Sequence, residues 1–553
     1  MKTCASRSAI LFASLLLAAC AAPPPPPPQA PVELRILALN DFHGNLLPSA
    51  EGIKVRDPQD PTKKITVRSG GAAWLASTVK ELRAGHPNNV FVAAGDLMGA
   101  SPLLSALFND EPTIEALGGM GLALSSVGNH EFDRGADELL RRQHGGCHPV
   151  TGCQGGHTFA GAKYQYLAAS TVVEATGKTL LPAYEIRRFE GIPVGFIGLT
   201  LKGTPGIVNP SGVAGLRFDD EAETVNRLVP ELRAQGVEAI VVLIHEGGFP
   251  TGGYNECPAL SGAIVDIVKK LDKAVDLVVS GHTHQGYNCR IDGRLVTSAD
   301  KYGNLVTAID VKLDRKTGDV ISAQAENVLV DHERFQPDPD TTQLIAGYEK
   351  LSAPLVHRVV GHISETFTRE PDAAGATTMG QLIADAQLAA TRRAAKAQIA
   401  LTNIGGVRSE LSFHDSGAVS YGEAFTVQPF YNNLITLTLT GAQLRQVLEQ
   451  QWLNQPKFRP LQVSQGFSYQ WDANRPVGQR ITAASLDGQP LRDDTSYRVT
   501  VSAFLASGGD GFPGFTAGTV ALTGMMDIDA LEQFLSSQPL TKPSARDRVM
   551  RIN

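Results

Sequence analysis

The 553-residue chain has no apolar run of about 18 residues in its body, which excludes a spanning helix there. It has no excess of basic charge either. Lys and Arg number 49 against 56 Asp and Glu, a formal charge of −7, so nothing points to wholesale nucleic-acid binding. Charged residues make up 19% of the chain and hydrophobic residues 42%. That is too apolar for a mostly disordered protein and enough for a large core. Glycine (55) and proline (33) are plentiful, which fits a loop-rich α/β protein better than a helical bundle. At about 150 residues per domain, the length suggests two to four domains.

Cysteines are few, six in all. Cys20 follows a short basic stretch (Lys2, Arg7), an apolar segment from Ile10 to Ala19, and small residues. The pattern looks like a bacterial lipoprotein signal over residues 1–19, cleaved before Cys20. A diacylated Cys20 would then anchor the chain to a membrane. Residues 20–31 contain six consecutive prolines, Pro23 to Pro28, an extended polyproline II spacer. Ala21 rather than Asp after the lipid site points, by analogy with lipoprotein sorting, to the outer membrane. With Cys4 removed and Cys20 lipidated, Cys147, Cys153, Cys257 and Cys289 remain. Three pairings are open to them. Local pairing of Cys147 with Cys153 leaves Cys257 with Cys289. The alternative, zinc held by thiolates, needs tighter spacing.

From Val32 to about Lys312, short apolar runs alternate with helical patterns. Leu34–Leu39, Val90–Ala94, Val194–Leu199, Ala239–Ile244 and Leu277–Ser280 read as strands buried on both faces. Gly71–Ala84 and Asp220–Gln235 read as helices, so this is an α/β pattern. Gln336–Ser352 reads as a connecting helix. A second unit from about Val359 mixes helices (Met379–Lys396, Gly441–Trp452) with strands (Leu434–Thr440, Tyr497–Val501). The Gly- and Pro-rich stretch Gly145–Gly161 reads as a surface insertion.

Five polar clusters follow apolar strand-like runs: Asn40-Asp41-Phe42-His43-Gly44, Gly95-Asp96, Gly128-Asn129-His130-Glu131-Phe132-Asp133, His245-Glu246 and Gly281-His282-Thr283-His284. Ligands of open α/β sheets bind at the carboxyl ends of strands, so the five should converge. Asp41 and His43, like His282 and His284, are two residues apart, and in extended backbone their side chains would point the same way. Asp, His and Asn donors without cysteine suit Zn²⁺ or Mn²⁺. Asp41, His43, Asp96, Asn129, His245, His282 and His284 are too many for one tetrahedral ion. They suit two ions sharing a carboxylate, which would hold a hydroxide and clamp a phosphoryl group.

In that order, these motifs resemble the calcineurin-like metallophosphoesterases, and Phe132-Asp133 narrows the resemblance to the 5′-nucleotidase/UDP-sugar hydrolase family. The resemblance implies an N-terminal four-layer αββα sandwich over residues 32–335. A linker helix or hinge would occupy 336–358, and a C-terminal mixed α/β nucleotide-binding domain 359–553. It further implies that Asp96 bridges two divalent metal ions. Asp41, His43 and His284 would complete one site, and Asn129, His245 and His282 the other. His130, oriented by Asp133, would stabilise charge on the phosphoryl or leaving group.

In the second unit, Asn403-Ile404-Gly405-Gly406-Val407-Arg408 is a glycine turn ending in a guanidinium, suited to a phosphate or carboxylate. Gln428-Pro429-Phe430-Tyr431-Asn432 and the run Phe504 to Phe512 set phenylalanines beside loop glycines, where they could stack a base or belong to the core. By the family resemblance Phe430 and Phe504 sandwich the base, and Asp510 binds the ribose hydroxyls. Arg408 and Asn403 contact the nucleotide, and Arg369 aligns with an upstream substrate arginine. Gln381 stands where the family usually has Asn.

The expected function is an exported, monomeric dimetal phosphohydrolase whose partners are its nucleotide substrate and, only through the N-terminal lipid anchor, a membrane, with no nucleic acid; metal-activated hydroxide would release phosphate from nucleoside 5′-monophosphates. UDP-sugars, 2′,3′-cyclic nucleotides and NAD-like pyrophosphates are rival substrates. A surface nucleotide-binding protein with an idle site is the rival of another class.

Overall fold

The apolar runs form strands because both of their faces are covered. In Val32–Leu39, Leu34, Ile36 and Ala38 face one core and Leu37 and Leu39 another. The computed structural model describes residues 30–553 apart from 50, 51, 58, 61, 209, 454 and 456. The export signal, Cys20 and the proline run lie outside the described residues.

Two six-stranded mixed sheets pack face to face in the N-terminal domain. The first runs in the order Val320–Leu329, Leu305–Leu313, Val32–Leu39, Asn89–Ala93, Leu122–Ser126, Gln165–Leu167, parallel from Val32–Leu39 onward. The second runs Gly286–Ile291, Arg294–Ala299, Val275–Ser280, Ala239–His245, Ile192–Thr200, Tyr184–Phe189, with four central parallel strands. Leu34, Val92, Phe196, Val241 and Leu277 fill the space between the sheets. Helices Ala72–Arg83 and Glu111–Gly119 cover the outer face of the first sheet, and Glu221–Ala234 and Ala263–Lys270 that of the second. This is the expected four-layer αββα sandwich. Each fully buried Leu, Ile, Val or Phe contributes about 1.5–3 kcal/mol.

The connecting helix spans Pro339–Val356 rather than 336–352. Asp338 caps it, its side chain accepting from Thr341 N, and Pro339 sits in the first turn. A proline lacks the N–H that this turn leaves unpaired, so the helix starts there. It continues past Ser352 and through Pro354.

In the C-terminal domain a five-stranded sheet runs Leu461–Val463, Ile399–Asn403, Ser496–Ser502, Asn433–Thr440, Thr519–Met526. Helix Thr378–Arg392 packs against it, capped by Thr377, whose hydroxyl accepts from Gly380 N at 2.9 Å. Gln381 is buried within this helix and accepts from Ser544. Leu103 and Ala106 of the N-terminal domain share one core with Ile363, Phe367, Ile383 and Phe425 of the C-terminal domain.

Cys147 is bonded to Cys153 and Cys257 to Cys289, so none of the four is a thiolate ligand. The first disulfide closes a turn in the exposed stretch after helix Ala136–His144. The end of that stretch is anchored by buried Phe159, under the Arg141 guanidinium. Among the described residues, no helix is long and apolar enough to cross a membrane.

Candidate active site

The polar clusters sit at the carboxyl ends of five strands, Val32–Leu39, Asn89–Ala93, Leu122–Ser126, Ala239–His245 and Val275–Ser280, and they converge. Asp41 Oδ1 lies 3.8 Å from His43 Nε2 and 3.3 Å from His284 Nε2. Asp96 Oδ2 lies 3.0 Å from His245 Nε2 and 3.7 Å from His43 Nε2. Asn129 Oδ1 is 3.1 Å from His245 Nε2. Donor atoms of Asp41, His43 and His284 lie within 4.8 Å of one another, as do those of Asp96, His245 and His282.

The backbone that achieves this is not extended. Asp41, His43, Asp96, His282 and His284 all have φ between 47° and 70°. The extended geometry expected for Asp41 and His43, and for His282 and His284, is therefore corrected. Left-handed turns aim these side chains inward, a conformation costly for non-glycine residues that persists where the surroundings impose it.

The surroundings do so through hydrogen bonds. His43 Nδ1 donates to Gly99 O at 2.8 Å and His245 Nδ1 to Ala94 O at 2.7 Å, which turns each Nε2 toward the cluster. Asp41 Oδ2 accepts from Asn40 Nδ2 and His282 N. Asp96 Oδ1 accepts from His130 N at 2.9 Å, so Oδ2 faces the imidazoles. A Cβ on Gly128 would stand 2.2 Å from Asp96 Oδ1, so only glycine admits this approach.

The donor set fits divalent cations. Asp41 Oδ1 is buried and makes no hydrogen bond. His43 Nε2 and His284 Nε2 point at each other across 3.0 Å, which a shared cation or proton must relieve. Burial depresses the His282 imidazole to about 4, with cationic His245 adding to the effect, so it is neutral and ready to ligate. Burial would also depress His245, but the Asp96 carboxylate pushes it up to about 10. This pocket attracts positive charge even when only a proton is available.

His130 Nδ1 lies 2.8 Å from Asp133 Oδ2. Burial opposes its charge, but Asp133 and then Asp96 outweigh it and raise the imidazole to about 9. It is a cation at neutral pH.

A cleft of about 300 Å³ runs from Asn129, His130, Asp133 and His282 to Asn403, Arg408, Phe430, Phe504 and Asp510. The C-terminal residues thus face the cluster across the domain interface. Arg408 Cζ lies 5.7 Å from the Phe430 ring centroid. Asn403 Nδ2 donates to Asp510 Oδ2 at 2.5 Å. The Phe504 ring covers Gly509, where a Cβ would come within 2.5 Å of it. Arg369 is not brought in. It is exposed, and its guanidinium donates to Arg408 O at 2.8 Å, so it braces the arginine turn from outside.

Sequence reasoning missed several supporting groups. Glu131 accepts from the N–H groups of Asp96, Leu97 and Gly128. Burial, with Asp96 next, raises its carboxyl to about 7. It stood inside the Gly-Asn-His-Glu run, but nothing in a sequence marks a carboxylate that clasps backbone. Asn40 ties Asp41 to Ala299 N and Asp300 O. Arg459 pairs with Asp510 Oδ1 at 2.7 Å and has no motif to flag it.

Buried Asp and His groups at the strand ends, with a cationic histidine beside them, make the site of a metal-dependent phosphoester hydrolase. Comparison with known proteins agrees. The calcineurin-like phosphoesterase model matches residues 34–286, and the 5′-nucleotidase, C-terminal domain model matches 359–517. The chain belongs to the 5′-nucleotidase family of calcineurin-like phosphoesterases. It is 34% identical over 511 residues to the endonuclease YhcR of Bacillus subtilis, covering 92% of this chain and 40% of that one. It is 30% identical to the cell wall protein Lmo0130 of Listeria monocytogenes, covering 92% of this chain and 67% of the other. This chain therefore spans less than half the length of the first relative. Among solved structures, the 5′-nucleotidase precursor from Thermus thermophilus superposes with a TM-score of 0.74 at 26% identity, covering 94% of this chain and 99% of that one.

Proposed function

We propose that this protein removes phosphate from nucleoside 5′-monophosphates, with two divalent ions, Zn²⁺ or Mn²⁺, held at the strand ends. The observation that carries the reading is the single cleft joining the Asp/His cluster to the two phenylalanines and Asp510. Asp96 would be shared between the ions. Asp41, His43 and His284 would hold one, and Asn129, His245 and His282 the other. Bound there, the ions would supply Lewis acidity and a nucleophilic oxygen at neutral pH.

The chain's own residues do the rest. Phe430 and Phe504 stack the base, and Asp510, steadied by Asn403 and Arg459, accepts from the ribose hydroxyls. The Arg408 guanidinium and the His130 cation lie on the path between ribose and cluster, where they meet phosphoryl charge. Asp133 holds His130 protonated, so charge developing on the phosphoryl or leaving-group oxygen meets a fixed cation.

We assign residues 32–335 to the hydrolase domain and 359–553 to substrate binding, with 336–358 between them. Export and a lipid anchor at Cys20 are part of the reading. The two disulfides support export, as does the likeness to a cell wall protein.

A second reading has its own support. The first relative is named an endonuclease and another, from Bacillus subtilis, a trifunctional nucleotide phosphoesterase, which favours phosphodiesters as further substrates. Turnover of AMP, UDP-glucose and 2′,3′-cAMP by the metal-stripped, reconstituted protein, read by separating the products (adenosine and phosphate, UMP and glucose 1-phosphate, or a 2′- or 3′-AMP), ranks the readings. AMP is expected to be fastest. Turnover of 2′,3′-cAMP or UDP-glucose alone would replace the first reading, and stoichiometric metal without hydrolysis of any nucleotide would leave a binding protein.

A further inference from the structure

Phe430 is followed directly by two anchors, one to each domain. On its own domain, Asp527 N donates to Asn432 O at 2.8 Å, fixing the loop to helix Asp527–Ser536. On the other side, Tyr431 reaches the N-terminal domain. Its ring centroid lies 5.6 Å from Arg134 Cζ across the interface, and 5.1 Å from the Phe425 ring on its own domain. The guanidinium is itself fixed, donating to Ala106 O at 3.1 Å and to Asn109 Oδ1. Arg134 directly follows Asp133, the partner of His130, and Tyr431 directly follows Phe430.

The backbone adds an independent sign. Tyr431 has φ +53°, a conformation that glycine adopts freely and a tyrosine only at a cost. A residue with no contact to make would be better replaced by glycine. The ring is held in place by what it touches, and what it touches across the interface is Arg134.

We propose that the Arg134–Tyr431 contact is a positioning latch, setting the distance between Phe430 and the His130–Asp133 pair and so the reach of a stacked nucleotide to the metal cluster. The proposal rests on the nucleotide reading given above. Arg134 lies outside the cleft lining and acts through its neighbours, whereas Tyr431 borders the cleft beside Phe430.

The test uses the full metal-loaded protein, with AMP and p-nitrophenyl phosphate as substrates. Tyr431→Gly relieves the backbone and removes the ring. It should raise KM for AMP about tenfold, the scale of a lost cation–π contact, and Arg134→Gln, outside the cleft, should raise it likewise and leave kcat for p-nitrophenyl phosphate unchanged. Tyr431→Phe keeps the ring face and should restore KM. An unchanged KM for AMP, or an equal loss on both substrates, overturns the latch. Thermal stability of Arg134→Gln, Tyr431→Gly and the double variant reads the contact without any nucleotide. Non-additive Tm shifts support the coupling across the interface on which the latch depends, and if the wild type then hydrolyses no nucleotide it is the functional reading that fails while the coupling stands. Additive shifts overturn the latch whatever the substrate.

Discussion

Asp41, His43, Asp96 and His245 are at most 1% exposed, and each is gripped by a backbone hydrogen bond. Across the cleft, Phe430, Phe504, Arg408 and Asp510 are half-buried on loops and short turns. One wall is rooted in strands covered on both faces, and the other is carried on loops held by a few contacts. The rooted wall suits a reaction in which charge must be met at fixed distances. The looser wall suits recognition, where stacking tolerates small displacements. Substitutions on the two walls should therefore fail differently.

The largest effect is expected on the rooted wall. Asp96→Asn removes the charge that two imidazoles face, and kcat for AMP should fall by about 10³-fold or more, the loss of several kcal/mol of charge stabilisation. Steady-state phosphate release measures this. A variant that kept kcat and raised only KM would erase the distinction between the walls. Next, Phe430→Ala should raise KM for AMP about tenfold with little change in kcat, one stacking contact being worth about 1–3 kcal/mol. Gly509→Ala pushes a methyl against the Phe504 ring and should give a smaller, about threefold, rise in KM, part of the same stacking energy.

The smallest effect concerns stability. Burial raises the Asp527 carboxyl to about 7, although hydrogen bonds from Ile528 N and Asn432 oppose the shift. Its folded value lies above the unfolded value of about 4. The folded state therefore binds this proton more tightly. The stabilisation is complete below about pH 4 and is lost as pH rises through 7. Asp527→Asn should flatten this decline in a series of thermal melts between pH 4 and 8, and an unchanged slope would show that the carboxyl does not titrate in this range.

What was legible in the sequence follows the same division. The strands of the sandwich announce themselves because burial on both faces demands continuous apolar runs, as in Ala239–His245, every residue of which is buried. The polar groups ending those runs were found for the same reason. Their left-handed backbone was not, since it depends on clasping groups such as Glu131 and Asn40 that come from other segments. On the looser wall the motifs gave Phe430, Phe504 and Asp510. Arg459, 51 residues before Asp510 in the chain, and the bracing role of Arg369 depend on how loops meet in space, and no local pattern carries that. The connecting helix was displaced because Asp338 and Pro339 start it, a boundary decided by cap geometry.

The central claim is a paired-cation site that shares one carboxylate. Metal content per chain, measured after stripping and reconstitution, tests it most directly. The account predicts two equivalents of Zn²⁺ or Mn²⁺ in the wild type, about one after His282→Ala, and loss of both after Asp96→Asn. A single equivalent in the wild type, or two retained in Asp96→Asn, would contradict it.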